Sequence, residues 1–250
     1  MIPHTPCESV ALLQTTSINR LARMCSDLNF TGNTGQTITQ YKPPKFVLEN
    51  VVAFPPNRDT LGGTSYLLIH PKGNILIDCP FWAEVYRDFC VGYGVRYLFL
   101  TNRNGISKHI GQWKRALNCE LVIQEQEAYL LPNLSPITFV EEYNFYDDCF
   151  AFWTPGYSPG SSCLYYEKNG GILFSGRHLL PVGEGKIAPL KLAKTFHWPI
   201  QLRSVRKLAA RLQNRPLTYI LPGANTGYLR GKGYIDNGAE QLLQVLEHCK

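Results

Sequence analysis

Short apolar runs separated by Gly- and Pro-containing turns dominate the chain from residue 45 onward. Runs of this kind, rich in β-branched and aromatic side chains, are typical of β-strands. They predict strands at 46–54, 65–70, 75–78, 95–101, 120–124, 150–154, 162–167, 171–175 and 217–221. The turn at 71–74 predicts a hairpin between the second and third of these strands.

Apolar residues spaced three and four apart predict helices between the strands. These helices are expected at 83–91, 107–117, 126–130, 201–212 and 237–248. In the helix at 201–212, the residues predicted to face the core are Leu202, Val205, Leu208 and Leu212. Because each half of the chain mixes hairpins with strand–helix units, we expect two sheets covered by helices.

Residues 1–44 are predicted to form a peripheral extension, and residues 45–250 the folded domain. The stretch 31–39 is polar and Gly-rich, and 17–28 has the apolar spacing of a short amphipathic helix. The N-terminus lacks a basic segment followed by an apolar one, so no signal peptide is expected. No apolar run approaches the roughly 20 residues that span a bilayer, so no transmembrane segment is expected either.

Composition excludes a disordered chain, and the cysteine spacing argues against a disulfide framework. Hydrophobic residues make up 44% of the 250 residues and charged residues 18%, a balance typical of globular proteins. The eight cysteines are scattered through the chain without a Cys-x-x-Cys motif. Several interrupt apolar runs, as reduced, buried cysteines do. We therefore predict a reduced, cytoplasmic compartment.

The net charge of +6 is concentrated in one stretch. Residues 183–215 contain eight Lys and Arg residues and Glu184 as the single acid, so this stretch carries +7 and the remainder −1. Cations on the predicted helix at 201–212 share the face opposite the leucines. The predicted partner-binding basic face consists of Arg203, Arg206, Lys207 and Arg211. Two interpretations of this face stay open. Either it is simply solvated, or it contacts an acidic protein, a lipid surface or an RNA backbone.

Four predicted strands end in loops with distinctive polar residues, at 101–111, 154–162, 175–179 and 222–227. Loops at the strand ends of a rigid sheet are where functional sites are usually built. In this order, and together with the segments 62–69 and 74–78, these loops resemble those of the metallo-β-lactamase superfamily. The resemblance covers about residues 46–226. It implies an α+β fold, an αββα sandwich of two mixed β-sheets flanked by helices, with the site along one edge of the sheets.

The resemblance also implies a site that has lost its metal. Members of this superfamily hold one or two zinc ions with five histidines and two aspartates. The positions that match five of these ligands carry Asn102, Asn104, Tyr157, Arg177 and Ala224. The other two positions fall on Ile106 and Ser107 or, with a two-residue insertion, on Lys108 and His109. At most one ligand, His109, therefore survives.

Arg177 stands at the position of the carboxylate that would bridge two metals. A guanidinium stays protonated and offers no lone pair, so it repels a cation there. Asn and Tyr are poor zinc ligands. We therefore predict that the chain binds no metal and no cofactor. The blocks 54–63, 175–181 and 194–199 resemble degenerate members of the superfamily from oxygenic phototrophs, which implies a cyanobacterial or plastid stroma-like context and no defined reaction.

Two functions compete on this basis. The first is a non-catalytic binding or assembly protein, whose cationic former metal cleft holds an anionic small molecule or an acidic protein partner. Nucleic acid is a less favoured partner. The predicted ligand-binding residues of this cleft are Asn102, Asn104, Lys108, His109, Tyr157, Arg177, His178 and Asn225. The alternative is a metal-dependent hydrolase with a rearranged, mononuclear site built from His109, His178 and His197.

Several polar residues also have plain structural interpretations. His178 is a candidate ligand or base, or else a hydrogen-bonded histidine at a strand end. His197 lies in an aromatic cluster, where packing competes with a place in a pocket wall. His70 precedes Pro71 in a hairpin turn and is predicted to be exposed. Asp78 ends a strand and is predicted to bond loop amides.

Overall fold

The computed structural model describes residues 41–229 and 231–248. Of these, residues 44–229 and 231–248 belong to one compact unit. The helix predicted at 17–28 and most of the extension predicted at 1–44 lie outside the described residues, as do Cys7, Cys25 and Cys249. In the part of the chain that the structure describes, no helix is both long enough and apolar enough to cross a membrane.

Short strands make up most of the regular structure. In chain order they are β1 (Lys45–Leu48), β2 (Val51–Ala53), β3 (Tyr66–Leu68), β4 (Asn74–Ile77), β5 (Val95–Leu100), β6 (Glu120–Gln124), β7 (Ile137–Phe139), β8 (Glu142–Tyr146), β9 (Cys149–Trp153), β10 (Ser162–Tyr166), β11 (Ile172–Gly176), β12 (Leu180–Gly183), β13 (Lys186–Ala188) and β14 (Tyr219–Pro222). The α-helices are α1 (Glu84–Tyr93), α2 (Ile110–Leu117), α3 (Trp198–Leu212) and α4 (Gly238–His248). Short 3-10 helices lie at Arg58–Thr60, Arg103–Gly105, Glu125–Leu130 and Thr226–Leu229.

The strands form two mixed sheets and a separate hairpin. The first sheet has the order β1-β2-β3-β4-β5-β6-β7. Its first four strands pair antiparallel, and β4 to β7 pair parallel, with α1 and α2 as crossovers. The second sheet has the order β14-β11-β10-β9-β8 and is antiparallel except where β11 and β14 run parallel. Strands β12 and β13 form the hairpin.

Alternating side chains of each strand explain how the sheets pack. In β4, Ile75 and Ile77 face a shared core that also contains Leu164 and Phe174 of the second sheet. The intervening Leu76 belongs to a second cluster with the helices α1 and α2, as the two-residue period of a strand requires. On the far side, β9 to β11 and β14 pack against α3 and α4. The predicted αββα sandwich is therefore confirmed.

The structure differs from the predicted strands in identifiable places. The run 46–54 forms two strands, β1 and β2, because the polar pair Glu49-Asn50 makes a turn between them. Strands β7 and β8 were not predicted. β7 has only three residues, and the alternation of Glu142 and Asn144 with apolar residues in β8 was overlooked. The hairpin β12–β13 was also missed. The helix predicted at 126–130 is a 3-10 turn.

His70 is buried, so the prediction that it is exposed is wrong. Its Nε2 lies 3.0 Å from Oδ1 of Asp148, and its ring stacks on Tyr146 with the centroids 4.0 Å apart. Tyr146 also donates its hydroxyl hydrogen to the carbonyl oxygen of Gly73, at 2.7 Å. The β3–β4 turn of the first sheet is thus covered by the β8–β9 turn of the second. A pattern that treats each hairpin separately does not contain this contact.

Candidate functional site

Strand ends from both sheets meet at one edge of the sandwich. The parallel strands β4 and β5 end at Ile77 and Leu100, and the parallel strands β11 and β14 end at Gly176 and Pro222. A small cavity at this edge is lined by residues that follow all four strands and by the 60–65 loop, including Thr60, Asp78, Asn102, Asn104, Arg177 and Gly223. The structure therefore brings together three of the four loops in which the sequence placed the site. The fourth loop, 154–162, does not line the cavity, but its Tyr157 contacts Asn104 and Arg177 of the lining.

Asp78 holds the loop that follows β5. It has a φ of 56°, in the left-handed region, and its carboxylate accepts from the Thr101 amide at 2.8 Å and from the Thr101 hydroxyl at 2.7 Å. A Cβ on Gly105 would lie 2.0 Å from Oδ1 of Asp78, so only glycine fits there. The prediction that Asp78 bonds a loop amide is confirmed.

The charge state of Asp78 is set mainly by burial. Desolvation raises the pKa of its carboxyl to about 6, although the two bonds from Thr101 and the charge of Arg177 act to lower it. The carboxyl of Asp78 therefore titrates about two pH units above its usual range of about 4.

Hydrogen bonds link Asn102 to Asn104 and Asn104 to Tyr157. Asn102 is buried, accepts from the Asn104 amide at 2.9 Å and donates to the Thr101 hydroxyl at 2.8 Å. The side-chain amide of Asn104 donates to the hydroxyl of Tyr157, which is also buried. These polar atoms join the loop after β5 to the loop after β9. A cation in the cleft would have to compete with these hydrogen bonds.

Arg177 closes the cleft from the other side. One guanidinium nitrogen donates to the carbonyl oxygens of Thr60 and Leu61, at 2.9 and 2.8 Å. The guanidinium carbon lies 5.8 Å from the centroid of the Tyr157 ring. The positive charge is therefore bonded to the protein's own backbone, and it fixes the turn at 58–61 over the strand ends.

The space left between these side chains is very small. The cavity has a volume of about 10 Å³, which is room for about one water molecule. In this arrangement it does not hold a phosphate or carboxylate ligand.

Lys108 and His109 lie at the mouth of the cleft around a carboxylate that the sequence analysis did not single out. Lys108 Nζ is 3.5 Å from Oδ1 of Asp59, and His109 Nε2 is 4.0 Å from Oδ2. His109 Nδ1 lies 2.5 Å from Oε1 of Gln112, and its ring stacks on Trp82. Asp59 therefore offsets part of the positive charge expected at this mouth. Asp59 lies in the block 54–63, one of the three blocks that resemble degenerate members of the superfamily.

The remaining predicted cleft residues, His178 and Asn225, differ from each other in burial. His178 is fully buried, and neither of its ring nitrogens has a hydrogen-bond partner among the described residues. Burial lowers the pKa of this histidine to about 3. Within residues 41–229 and 231–248, His178 is therefore not the hydrogen-bonded ring that was predicted. Asn225 is exposed and has a φ of 57°.

The donors present do not fit a metal ion. His197 is exposed and caps α3, where its Nδ1 accepts from the Ile200 amide at 3.3 Å. Among the residues that the structure describes, no three His, Cys, Asp or Glu side chains lie together as metal ligands. His109, His178 and His197 are thus not assembled into the mononuclear site of the alternative hypothesis.

The predicted basic face of α3 divides into two parts. Arg203, Arg206 and Lys207 are exposed. Arg211 instead pairs with Glu142 of β8 through two bonds, of 2.6 and 3.0 Å, and lies 4.7 Å from the centroid of the Phe150 ring. Arg211 therefore anchors α3 to the second sheet.

Solved structures similar to this chain include metallo-beta-lactamases and a metallo-beta-lactamase family protein. The DIM-1 metallo-beta-lactamase has a TM-score of 0.64 at 14% identity, over 84% of this chain and 99% of the other. The metallo-beta-lactamase from Pontibacter korlensis gives 0.62 at 14% identity, over 84% and 99%. A metallo-beta-lactamase family protein from Thermus thermophilus gives 0.56 at 15% identity, over 81% and 80%.

The sequence itself matches neither a protein-family model nor a curated protein. Identities near 14% carry information on architecture alone. The two sheets, their flanking helices and the loops at one edge agree with that architecture. The chain therefore has the metallo-β-lactamase fold.

Proposed function

We propose that this chain is a non-catalytic binding or assembly protein on the metallo-β-lactamase fold, of the degenerate type resembling proteins of cyanobacteria and plastids. The observation that carries the proposal is the pair of hydrogen bonds from Arg177 to the carbonyl oxygens of Thr60 and Leu61. They place a permanent cation where a metal site of this fold would need a carboxylate. Metal-dependent hydrolysis requires an ion that polarises the substrate or lowers the pKa of a bound water, and the donors here do not fit one.

The exposed cations of α3 support an acidic macromolecule as the partner. Arg203 and Lys207 make no ion pair within residues 41–229 and 231–248. No acidic residue occurs between Lys186 and Arg215. An anionic small molecule in the former metal cleft would require the turn at 58–61 to move away from Arg177. The acidic partner is therefore better supported than the small ligand.

Free, buried cysteines support a reduced compartment, the cytoplasm or a plastid stroma. Cys79, Cys90, Cys119, Cys149 and Cys163 are all free and buried. Burial raises the pKa of the Cys163 thiol to about 12, so it is protonated near neutral pH.

Zinc equilibration tests the loss of the metal site. The untagged protein is dialysed against zinc chloride, washed, and assayed by elemental analysis. We expect a zinc-to-protein ratio near zero. A ratio near one that falls in the His109→Ala variant would overturn the proposal in favour of the mononuclear hydrolase.

Polyglutamate binding tests the basic face. We expect salt-sensitive binding to immobilised polyglutamate that is lost in the triple variant Arg203→Glu, Arg206→Glu, Lys207→Glu. The matched control Lys72→Glu, Arg87→Glu, Lys168→Glu has the same change in net charge but leaves α3 intact, and it should retain most of the binding. Equal losses in the two triple variants would show that net charge, and not this face, is responsible.

A further inference from the structure

The loop that leads from the hairpin β12–β13 into α3 projects from the surface of the domain. We call residues 190–197 the lead-in loop. Its residues 191–194 are all exposed, and so are Phe196 and His197. Leu192 is 37% exposed and Phe196 is 55% exposed. Because four successive residues are exposed and none of them is buried, the loop presents these two apolar side chains to its surroundings and not to the core.

Hydrogen bonds hold the lead-in loop in this conformation. The Thr195 amide donates to the carbonyl oxygen of Leu192 at 3.0 Å, and the Leu192 amide donates to the Thr195 hydroxyl at 2.9 Å. The Phe196 amide donates to the carbonyl oxygen of Tyr157 at 3.0 Å, which ties the loop to the loop after β9. The backbone therefore keeps Leu192 and Phe196 exposed, although burial of their apolar surface would be favourable.

The charges of the lead-in loop are positive. Lys191 and Lys194 alternate with Leu192 and Phe196 along the loop, and both lysines are exposed. In the part of the chain that the structure describes, neither lysine makes an ion pair. Residues 185–235 contain no Asp or Glu. The loop thus combines apolar side chains with cations on either side of them, and it carries no compensating carboxylate of its own.

We propose that the lead-in loop binds the surface of an anionic lipid bilayer. Segments that bind at a membrane surface place apolar side chains at the boundary between headgroups and acyl chains, while lysines beside them reach the lipid phosphates. Leu192 and Phe196 would enter this boundary, and Lys191 and Lys194 would stay among the headgroups. A projecting tip suits a deformable bilayer, whereas an acidic protein would need a pocket for each apolar side chain. This inference goes beyond the proposed function, which uses the basic face of α3.

Vesicle sedimentation with the full chain tests the proposal. The probes are vesicles of phosphatidylcholine alone and vesicles of equal parts phosphatidylcholine and phosphatidylglycerol. We expect the protein to bind the anionic vesicles at least about tenfold more tightly than the neutral ones, and added salt to weaken this binding. Equal binding to the two kinds of vesicle, or binding to neither, overturns the proposal.

Removal of the apolar side chains separates insertion from attraction between charges. The double variant Leu192→Ser with Phe196→Ser keeps every charge and should bind anionic vesicles at least about tenfold more weakly. The matched control is Val91→Ser with Leu243→Ser, which removes side chains of α1 and α4 that are 50% and 61% exposed. This control should bind like the wild-type protein. Unchanged binding in the first double variant overturns the insertion of the loop.

Reversal of the loop's charges tests the two lysines. The double variant Lys191→Glu with Lys194→Glu should bind anionic vesicles at least about tenfold more weakly. Its control, Lys72→Glu with Lys168→Glu, makes the same change in net charge in the turns before β4 and β11. These turns lie at the opposite ends of the two strands from the cleft, so the control should retain most of the binding. Equal losses in the two double variants overturn the assignment to this loop.

Other partners are separated by the same variants. Binding to polyglutamate but to neither kind of vesicle overturns the proposal in favour of an acidic protein, and it leaves the proposed function standing. Vesicle binding that is lost in the triple variant of α3 but unchanged in both lead-in loop variants overturns it in favour of the basic face. Vesicle binding that depends on the lead-in loop, without any polyglutamate binding, supports it and contradicts only the acidic partner of the proposed function.

Discussion

Arg177 donates a hydrogen bond of 2.8 Å to the carbonyl oxygen of Leu61, a residue 116 positions earlier in the chain. Leu61 has a φ of 54°, and this left-handed conformation ends the 3-10 turn at Arg58–Thr60. The same guanidinium nitrogen also binds the Thr60 carbonyl, which belongs to a buried residue. Arg177 therefore fastens one edge loop of the sandwich to another.

Arg177→Met should destabilise the protein by about 2 kcal/mol. The variant removes two hydrogen bonds made by a charged donor, although the Thr60 carbonyl keeps the bond of 3.0 Å that it accepts from the Gly63 amide. Urea unfolding at neutral pH measures the change. Arg203→Met, which removes an exposed guanidinium from α3, is the matched control and should change the free energy of unfolding by less than about 0.5 kcal/mol. Similar values for the two variants would contradict the role assigned to Arg177.

Gly105→Ala should cost about 3 kcal/mol or prevent folding. Its Cβ would lie 2.0 Å from Oδ1 of Asp78, and relief requires breaking the bonds between Asp78 and Thr101. Gly92→Ala is the control, because a Cβ there meets nothing within 4 Å and the residue lies in α1. That variant should be stabilised by about 0.5–1 kcal/mol, since Ala favours a helix over Gly. Thermal or urea unfolding of the pair compares the two effects.

The strands and the sandwich could be predicted from the chain because each strand carries its own signal. Ile75, Leu76 and Ile77 are all apolar, which is the pattern of a strand buried on both faces. In β8, Glu142 and Asn144 break that pattern, since this edge strand has a polar face that Arg211 covers from α3. The alternation of Glu142 and Asn144 with Tyr143 and Phe145 is the signal of a strand with one buried face, and it was overlooked.

The contacts within the predicted cleft could be foreseen only in part. The residue types at 102, 104, 157 and 177 predicted that no zinc pair binds there. The partners of Arg177 could not be predicted, because they are backbone carbonyls whose direction depends on the left-handed conformation of Leu61. Asp59 was overlooked for a related reason. Its proximity to Lys108 and His109 arises from the meeting of two loops that are about 50 residues apart.

Asp78→Asn should change how the stability depends on pH. The pKa of Asp78 is raised to about 6 in the folded state from about 4 in the unfolded chain. Between pH 4 and pH 6 the folded protein holds a proton that the unfolded chain has released. The free energy of unfolding of the wild-type protein therefore falls as the pH rises, by about 3 kcal/mol in total once the pH exceeds 6. Relative to the wild-type protein, the Asn variant should therefore gain stability as the pH rises from about 4 to about 7.

Asparagine suits this position because it tolerates the left-handed backbone and keeps an acceptor for the Thr101 amide. Urea unfolding at several pH values in this window measures the difference from the wild-type protein. Asp147→Asn, on an exposed carboxylate paired with Lys72, controls for the removal of a charge. A difference between Asp78→Asn and wild type that stays constant with pH would show that Asp78 does not titrate in this window.

His178→Leu should show the opposite pH dependence. Burial lowers the pKa of His178 to about 3, whereas the unfolded histidine titrates near 6.5. Below about pH 6.5 the unfolded chain takes up a proton that the folded protein excludes, so the wild-type protein loses stability as the pH falls. Relative to wild type, the Leu variant should gain about 2 kcal/mol between pH 7.5 and pH 5. At pH 7.5 it should be no less stable than wild type, because neither ring nitrogen has a partner to lose among the described residues. Urea unfolding at the two pH values distinguishes this outcome from a histidine that is hydrogen-bonded in solution, for which the Leu variant would be destabilised at both.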